Sequence, residues 1–337
     1  MHRRVVAAAA AACWWAAAAQ AGVPDGVPPS EAWVAISTEE LRADFDVLWA
    51  VSDVHGRLEE LDALLLAAHL ATRDAANRIV WNPGQRRQLF VAVGDYIDGG
   101  RESAGVVLRF AGLREQAAAA GSRVIALIGN HDAAFLADPG SADRHLLSSA
   151  HRAAAELGVS SRPTPEELSN GKFGRFLRSL PAAAFIGSWL FAHSGYLDAP
   201  DDDARNYLAA VAESWSRSEA DRYRALLDPS SIVDCHNWWR SRKRRERMKG
   251  RLSQLGLNGL VFGHDPDALG FPRTIAIDPD RWLIKLDTGL KTAQSRGMLL
   301  RCDTSRIVQG TRLVMSVDGK PTCQVFTPAG IFQEIPR

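Results

Sequence analysis

Two aspartates three residues apart, Asp95 and Asp98, follow an apolar run in the stretch Leu89–Gly100, LFVAVGDYIDGG. A carboxylate at the C-terminal tip of a buried strand lies where α/β sheets bind ligands. The same change from apolar run to ligand-capable residues recurs at Asp53-Val54-His55-Gly56, Gly129-Asn130-His131-Asp132, His193-Ser194-Gly195 and Gly263-His264. Collected, Asp53, His55, Asp95, Asn130, His193 and His264 make two carboxylates, three imidazoles and one amide. A mixed nitrogen and oxygen set of this kind suits two adjacent transition-metal ions that share one carboxylate, here Asp95. It does not suit Ca²⁺, which takes oxygen throughout, nor a structural zinc, which would draw on cysteine. Each signal alone has a plain structural reading, Asp53 as a helix N-cap for example. Five in order, each after an apolar run, do not.

The residues need strands to carry them. Phe45–Val51, Leu89–Val93, Arg123–Ile128, Ala182–Ala192, Gly259–Phe262 and Trp282–Leu286 are short apolar runs bounded by Gly or polar residues, and each reads as a buried strand. Side-chain alternation in an extended tip would aim Asp53 and His55 the same way, and Asn130 and His131 opposite ways. Leucines at helical spacing from Arg57 to Ala71, and the amphipathic stretch Ala104–Ala120, predict helices. A helical insertion is expected at about 133–180 and a second helical region at about 201–251. From Gly297 onward the chain alternates and carries the turn signal Val317-Asp318-Gly319, which predicts closing antiparallel strands. The expected organisation is a linker over 22–44, a domain over 45–303 and a C-terminal strand extension over 304–337.

With 337 residues, 46% hydrophobic and 23% charged, the chain has the composition of an ordinary globular protein. Its net charge of +1 argues neither for nor against a nucleic-acid partner, and none is expected. His2-Arg3-Arg4, the apolar stretch Val5–Ala19 and Ala19-Gln20-Ala21 have the three parts of a secretory signal, residues 1–21, cut before Gly22. The expectation is a secreted or periplasmic protein with no stable membrane anchor after cleavage. Cys235, Cys302 and Cys323 then remain in an oxidising compartment, where Cys302 and Cys323, flanking a hairpin, can pair.

The five motifs resemble the calcineurin-like metallophosphoesterases, whose pattern is D-x-H, GD-x-x-D, GNH[DE], H and GH. The GD-x-x-D-x-G form is similar to the phosphoprotein-phosphatase branch. Trp238-Trp239-Arg240 and Leu286-Asp287-Thr288-Gly289 resemble stretches of the bacterial Shewanella-like phosphatases, and Gly129-Asn130-His131-Asp132 is equally like the diadenosine tetraphosphatases. The resemblance implies an α/β fold, a four-layer α/β/β/α sandwich with a helical insertion. It implies two divalent or transition-metal ions, Mn²⁺ in the first place, with Fe or Zn as alternatives. Asp53, His55 and Asp95 would hold the first ion, and Asp95, Asn130, His193 and His264 the second. It implies a phosphatase for phosphate monoesters, of a small molecule or a phosphoprotein, with water activated by the ions attacking in line. A dinucleoside polyphosphate hydrolase is the alternative, and a non-catalytic phosphate-binding protein is disfavoured because no ligand is missing.

His131 and Asp98 are the candidates for protonating the leaving oxygen. The branch has Arg after the second Asp, where this chain has Gly99, so Arg240 and Arg101 become the candidates for binding substrate phosphate. The run Arg240–Arg251 carries eight Arg and Lys and reads first as a solvated helix face. Asp287 reads as a turn residue and Asp265 as a loop acid. N-terminal sequencing of exported protein should find Gly22 first; an intact Met1 would refute the leader.

Overall fold

The central strands are apolar on both faces because both faces are covered. In the computed structural model, which describes residues 22–198, 203–292, 295–307, 316–317 and 320–336, two six-stranded sheets pack face to face. The proposed leader and the turn Asp318-Gly319 lie outside the described residues. The strands are β1 (Trp33–Ile36), β2 (Val47–Val51), β3 (Ala71–Arg73), β4 (Ile79–Trp81), β5 (Gln88–Val93), β6 (Arg123–Leu127), β7 (Ala183–Ile186), β8 (Trp189–Ala192), β9 (Gly259–Phe262), β10 (Ala276–Ile277), β11 (Leu283–Lys285), β12 (Leu299–Asp303), β13 (Ser316–Val317), β14 (Lys320–Pro321), β15 (Cys323–Phe326) and β16 (Phe332–Gln333). One sheet has the order β1-β7-β8-β9-β11-β10, the other β16-β15-β12-β2-β5-β6; β3 with β4 and β13 with β14 form small separate ladders.

Alternation along β5 shows why its sequence is a continuous apolar run. Leu89, Val91 and Val93 enter the core between the sheets, with Leu48, Ile125, Phe191, Val261 and Ile284. Phe90 and Ala92 face outward, into the core beneath the helices. The helices are α1 (Thr38–Asp44), α2 (Leu58–Ala67), α3 (Ser103–Ala119), α4 (Asn130–Ala137), α5 (Arg144–Arg152), α6 (Ala154–Leu157), α7 (Pro165–Asn170), α8 (Lys172–Arg178), α9 (Ala204–Arg217), α10 (Glu219–Leu226) and α11 (Arg242–Gln254). Phe110 and Leu113 of α3 join that outer core, so the mixed α/β sandwich expected from the sequence is present. The insertion after β6 is helical throughout its elements, α4 to α8, and α9 to α11 make the second helical region. Among the described residues no helix is long and apolar enough to cross a membrane.

Two expectations are corrected. Trp33–Ile36, assigned to the linker, is β1 and pairs in parallel with β7, while Ser37 and Glu40 cap α1 reciprocally; the fold therefore begins well before Phe45. The run Ala182–Ala192 is not one strand. It is the hairpin β7–β8, in which Ile186 faces Trp189 across Gly187-Ser188. Gly187 has φ 58°, which a tight turn accepts, and so short a turn leaves no polar gap for the sequence to show. The closing antiparallel strands are present as expected: β12 lies between β2 and β15 and completes the sheet that carries Asp53 and Asp95.

The expected closing strands bring Cys302 of β12 opposite Cys323 of β15, and the two form a disulfide across 21 residues. Cys235 is free and buried. A denatured, unreduced chain beginning at Gly22 should show a single free thiol, that of Cys235. Cys302→Ser with Cys323→Ser should cost about 3 kcal/mol in denaturant unfolding through lost loop closure. Three free thiols, or no change in stability, would refute the bond's contribution.

Candidate metal centre

The residues picked out by spacing converge at the C-terminal ends of β2, β5, β6, β8 and β9. Asp53 and His55 follow β2, Asp95 and Asp98 follow β5, His193 follows β8 and His264 follows β9. Asn130 and His131 open α4 rather than extending a strand tip, so they diverge by the helical step and not by alternation. Nor is the tip after β2 extended. Asp53, His55, Asp95, Asp98 and His264 all have φ between 48° and 68°, a left-handed backbone that non-glycine residues adopt at a cost. The hydrogen bonds of Asp53 N–H to the Gly94 carbonyl and of His55 N–H to the Asp95 carbonyl hold the first two loops side by side in this form.

One atom lies at the centre. Asp95 Oδ2 is 3.4 Å from His55 Nε2, 3.3 Å from His193 Nε2 and 4.0 Å from His131 Nε2. Its other oxygen, Oδ1, accepts the His131 backbone N–H at 3.1 Å. On one side, His55 Nε2 is 3.8 Å from Asp53 Oδ1. On the other, His193 Nε2 is 3.1 Å from Asn130 Oδ1 and 3.2 Å from His264 Nδ1. Carbonyl oxygens fix the rings: His55 Nδ1 donates to Ile97 O at 3.0 Å and His193 Nδ1 to Val93 O at 2.8 Å, so each presents Nε2 inward. His131 Nδ1 contacts Asp98 Oδ2 at 2.8 Å, the pair expected from the sequence.

The electrostatics are those of a cation site. Burial, followed by the Asp287 carboxylate, pushes Asp53 well above the usual carboxyl range. Burial opposes ionisation of Asp95 too, but the His193, His55 and His131 rings outweigh it and hold the group well below that range. Burial would lower His193; Asp95 and Asp53 overcome it and raise this ring to about 10. Burial lowers His55 to about 4, and burial with the His193 charge lowers His264 to about 2. Two neutral imidazoles thus have free lone pairs at neutral pH, while the proton on His193 balances the buried acids in a place a cation can take. His264 Nε2 is buried and has no hydrogen-bond partner among the described residues.

The sequence model of the calcineurin-like phosphoesterase domain matches residues 47–268. The chain belongs to the calcineurin-like phosphoesterase family. It is accordingly a metal-dependent hydrolase of phosphoric esters, of a family that works with two metal ions. Its fold is similar to that of a cold-active protein-tyrosine phosphatase from the psychrophile Shewanella sp., at 20% identity and TM-score 0.58, covering 86% of this chain and 80% of that one. It is similar also to a protein serine/threonine phosphatase from Saccharomyces cerevisiae, at 13% identity and TM-score 0.51, covering 91% and 85%. Comparison with curated proteins finds no match.

Other residues of this phosphoesterase have clear places. Asp132 is fully buried and accepts the backbone N–H groups of Asp95, Tyr96 and Gly129. Burial and the Asp95 charge raise it to about 7. Asp287 accepts from Gly289 N–H at 2.8 Å, the turn role expected of it, and Asp265 accepts the Trp239 indole N–H at 2.6 Å. Arg240 is exposed, its guanidinium 5.0 Å from the Trp239 ring centre. Most of the basic run faces solvent along α11; Arg251 is the exception, buried and bonded to the Leu197 carbonyl. The Arg101 side chain is exposed and makes no hydrogen bond or ion pair among the described residues; the space at Gly99 is taken by Lys291 instead.

Sequence reasoning missed Asp234 and His236. Their ligand atoms lie within 4.8 Å of one another and of a His264 nitrogen. The His236 ring lies against His264, tilted by 32° with centroids 3.9 Å apart, and Asp234 is hydrogen-bonded to the Asn130 side chain, which turns the Asn130 oxygen inward. Asp234-Cys235-His236 repeats the D-x-H spacing of Asp53-Val54-His55, but no apolar strand precedes it.

If Asp95 serves both ions, its loss leaves neither complete. Asp95→Ala should release both metals, whereas Asn130→Ala should weaken mainly the ion on the His193 side. Elemental analysis finding two metals per chain in the Asp95 variant would refute the shared ligand.

Proposed function

We propose that the chain is a phosphomonoesterase, acting on a small phosphorylated molecule or a phosphoprotein, in which His131 and Asp98 serve the leaving group. The observation that carries the reading is the His131–Asp98 contact of 2.8 Å, set 4.0 Å from the central Asp95 oxygen. Asp53, His55 and Asp95 hold one ion, and Asp95, Asn130, His193 and His264 the other, with Mn²⁺ as the first choice. Such ions polarise phosphoryl oxygens and bring a water close to ionisation at neutral pH. The donor set fits them: neutral imidazoles, buried acids and an amide at the mouth of the sheet.

The protein's part is positioning and proton supply. Asp95 and His193 are anchored by backbone contacts and Asn130 by the Asp234 side chain, so the site is built before substrate arrives. His131 is partly exposed at the edge, where a leaving alkoxide departs. Burial disfavours its charged form, but the Asp98 hydrogen bond, with Asp95, raises its pKa above the usual histidine value. The ring therefore holds a proton that its Nε2 can pass to the leaving oxygen, while Asp98 keeps the ring oriented. Export to an oxidising compartment is part of the proposal, supported by the leader pattern and the Cys302–Cys323 disulfide.

Mn²⁺-loaded protein should hydrolyse p-nitrophenyl phosphate and either alkyl phosphates or phosphopeptides in preference to dinucleoside polyphosphates; the reverse preference would establish the alternative. His131→Asn should lose roughly 10²–10⁴-fold in kcat with metal content intact. The loss should be greater for alkyl phosphates than for p-nitrophenyl phosphate, whose leaving group needs little protonation. Asp98→Asn should give a related, non-additive loss. Metal loss in His131→Asn, or equal slowing of both substrates, would make His131 a ligand or phosphate binder instead.

A further inference from the structure

The rim of the site offers a cation that none of the five motifs includes. Lys291 follows the Asp287-Thr288-Gly289 turn, and its Nζ lies 3.0 Å from His131 Nε2. Gly99 makes this approach possible. Its φ is 101°, and a Cβ built on it would come within 2.8 Å of Lys291 Cγ and 3.5 Å of His55 Cβ. Any side chain at position 99 would therefore meet the stem that carries the ammonium over the site. The loop is pinned on both sides. Asp287 accepts from Gly289 N–H, Thr292 N–H donates to Gly289 O at 3.1 Å, and Arg57 Nη2 donates to the Lys291 carbonyl at 3.2 Å.

Three other cations, Lys285, Arg57 and Arg240, already have partners among the described residues. Lys285 is buried, with its Nζ on the Pro266 and Phe271 carbonyls at 2.6 Å. Arg57 is committed to the Lys291 carbonyl and lies 3.9 Å from Glu60. Arg240 rests on Trp239. Lys291, by contrast, is exposed and held by no carboxylate, and once His131 Nε2 carries its proton that nitrogen no longer accepts from the ammonium, which is then released to turn away. An ammonium on a flexible stem at the open edge of a buried anionic cluster is suited to capture a phosphoryl oxygen.

We infer that Lys291 binds a non-bridging oxygen of the substrate phosphoryl group, in the space that Gly99 leaves open, turning from His131 Nε2 as the phosphate enters. This rests on the phosphoesterase reading and deepens it: the site recognises the phosphoryl dianion itself with a lysine.

The test uses Mn²⁺-loaded protein, with orthophosphate and vanadate as probes, read by calorimetry as well as by inhibition. Lys291→Gln should weaken orthophosphate binding by about 10- to 100-fold, the value of a hydrogen bond to a charged group. KM for p-nitrophenyl phosphate should rise with it, metal content should stay at the wild-type level, and Lys291→Arg should recover most of the binding. Unchanged orthophosphate affinity in Lys291→Gln, while the wild type hydrolyses phosphomonoesters, would overturn this inference and leave the phosphoesterase reading standing. Equal loss in Lys291→Arg would mean that the lysine only shapes the loop, and would overturn it too. A wild-type protein that hydrolyses no phosphoester would remove both.

Discussion

The buried carboxylate of Asp132 accepts three backbone N–H groups, those of Asp95, Tyr96 and Gly129, and the geometry of the site hangs on that contact. It joins the loop after β5 to the start of α4, which is why Asp95 can accept from His131 N–H and why Asp98 can reach the His131 ring. The approach is too close for side chains. A Cβ at Gly129 would overlap the Asp95 carboxylate, and one at Gly263 would overlap Ser52 and Asp53. The glycines of GNH and GH are thus spacing devices: they let the backbones bearing the candidate ligands touch.

The convergence is electrostatically costly. Asp53, Asp95, Asp132 and Asp287 are all buried within one region, and burial alone opposes the ionised form of each. Backbone amides meet part of the cost at Asp132 and Asp287, and the proton on His193 meets another part at Asp95 and Asp53. What remains is a cluster whose charge is balanced best by cations. The left-handed backbone at five of the site residues belongs to the same account: strain and like charge are concentrated here and held by two cores of packed strands and helices.

Those cores divide the labour. The layer between the sheets makes the strand ends a rigid platform, while the outer layer anchors α3 and the helical insertion. The loops above the platform are then free to differ. Lys291 over Gly99, and Asp234 with His236 against His264, stand on such loops and form part of the rim.

The sequence by itself determined the buried strands and the types and order of the candidate ligands, because an apolar run ending in a polar residue is a local signal. The six ligand candidates and the His131–Asp98 pair were legible for that reason, as was the pairing of Cys302 with Cys323 across closing strands. Boundaries failed where local signals compete. β1 was hidden next to a proline-rich stretch, and Gly187-Ser188 was too short to interrupt the run it divides. Asp53 and His55 do reach the same site, but not by alternation, which assumes an extended chain where the interloop hydrogen bonds impose a left-handed one. Only the tertiary structure decided what stands at the rim. Lys291 lies far from Gly99 in sequence, and no spacing rule links a glycine to the residue that fills the room it leaves. That relation arises from the packing of one loop on another, which is a property of the folded chain alone.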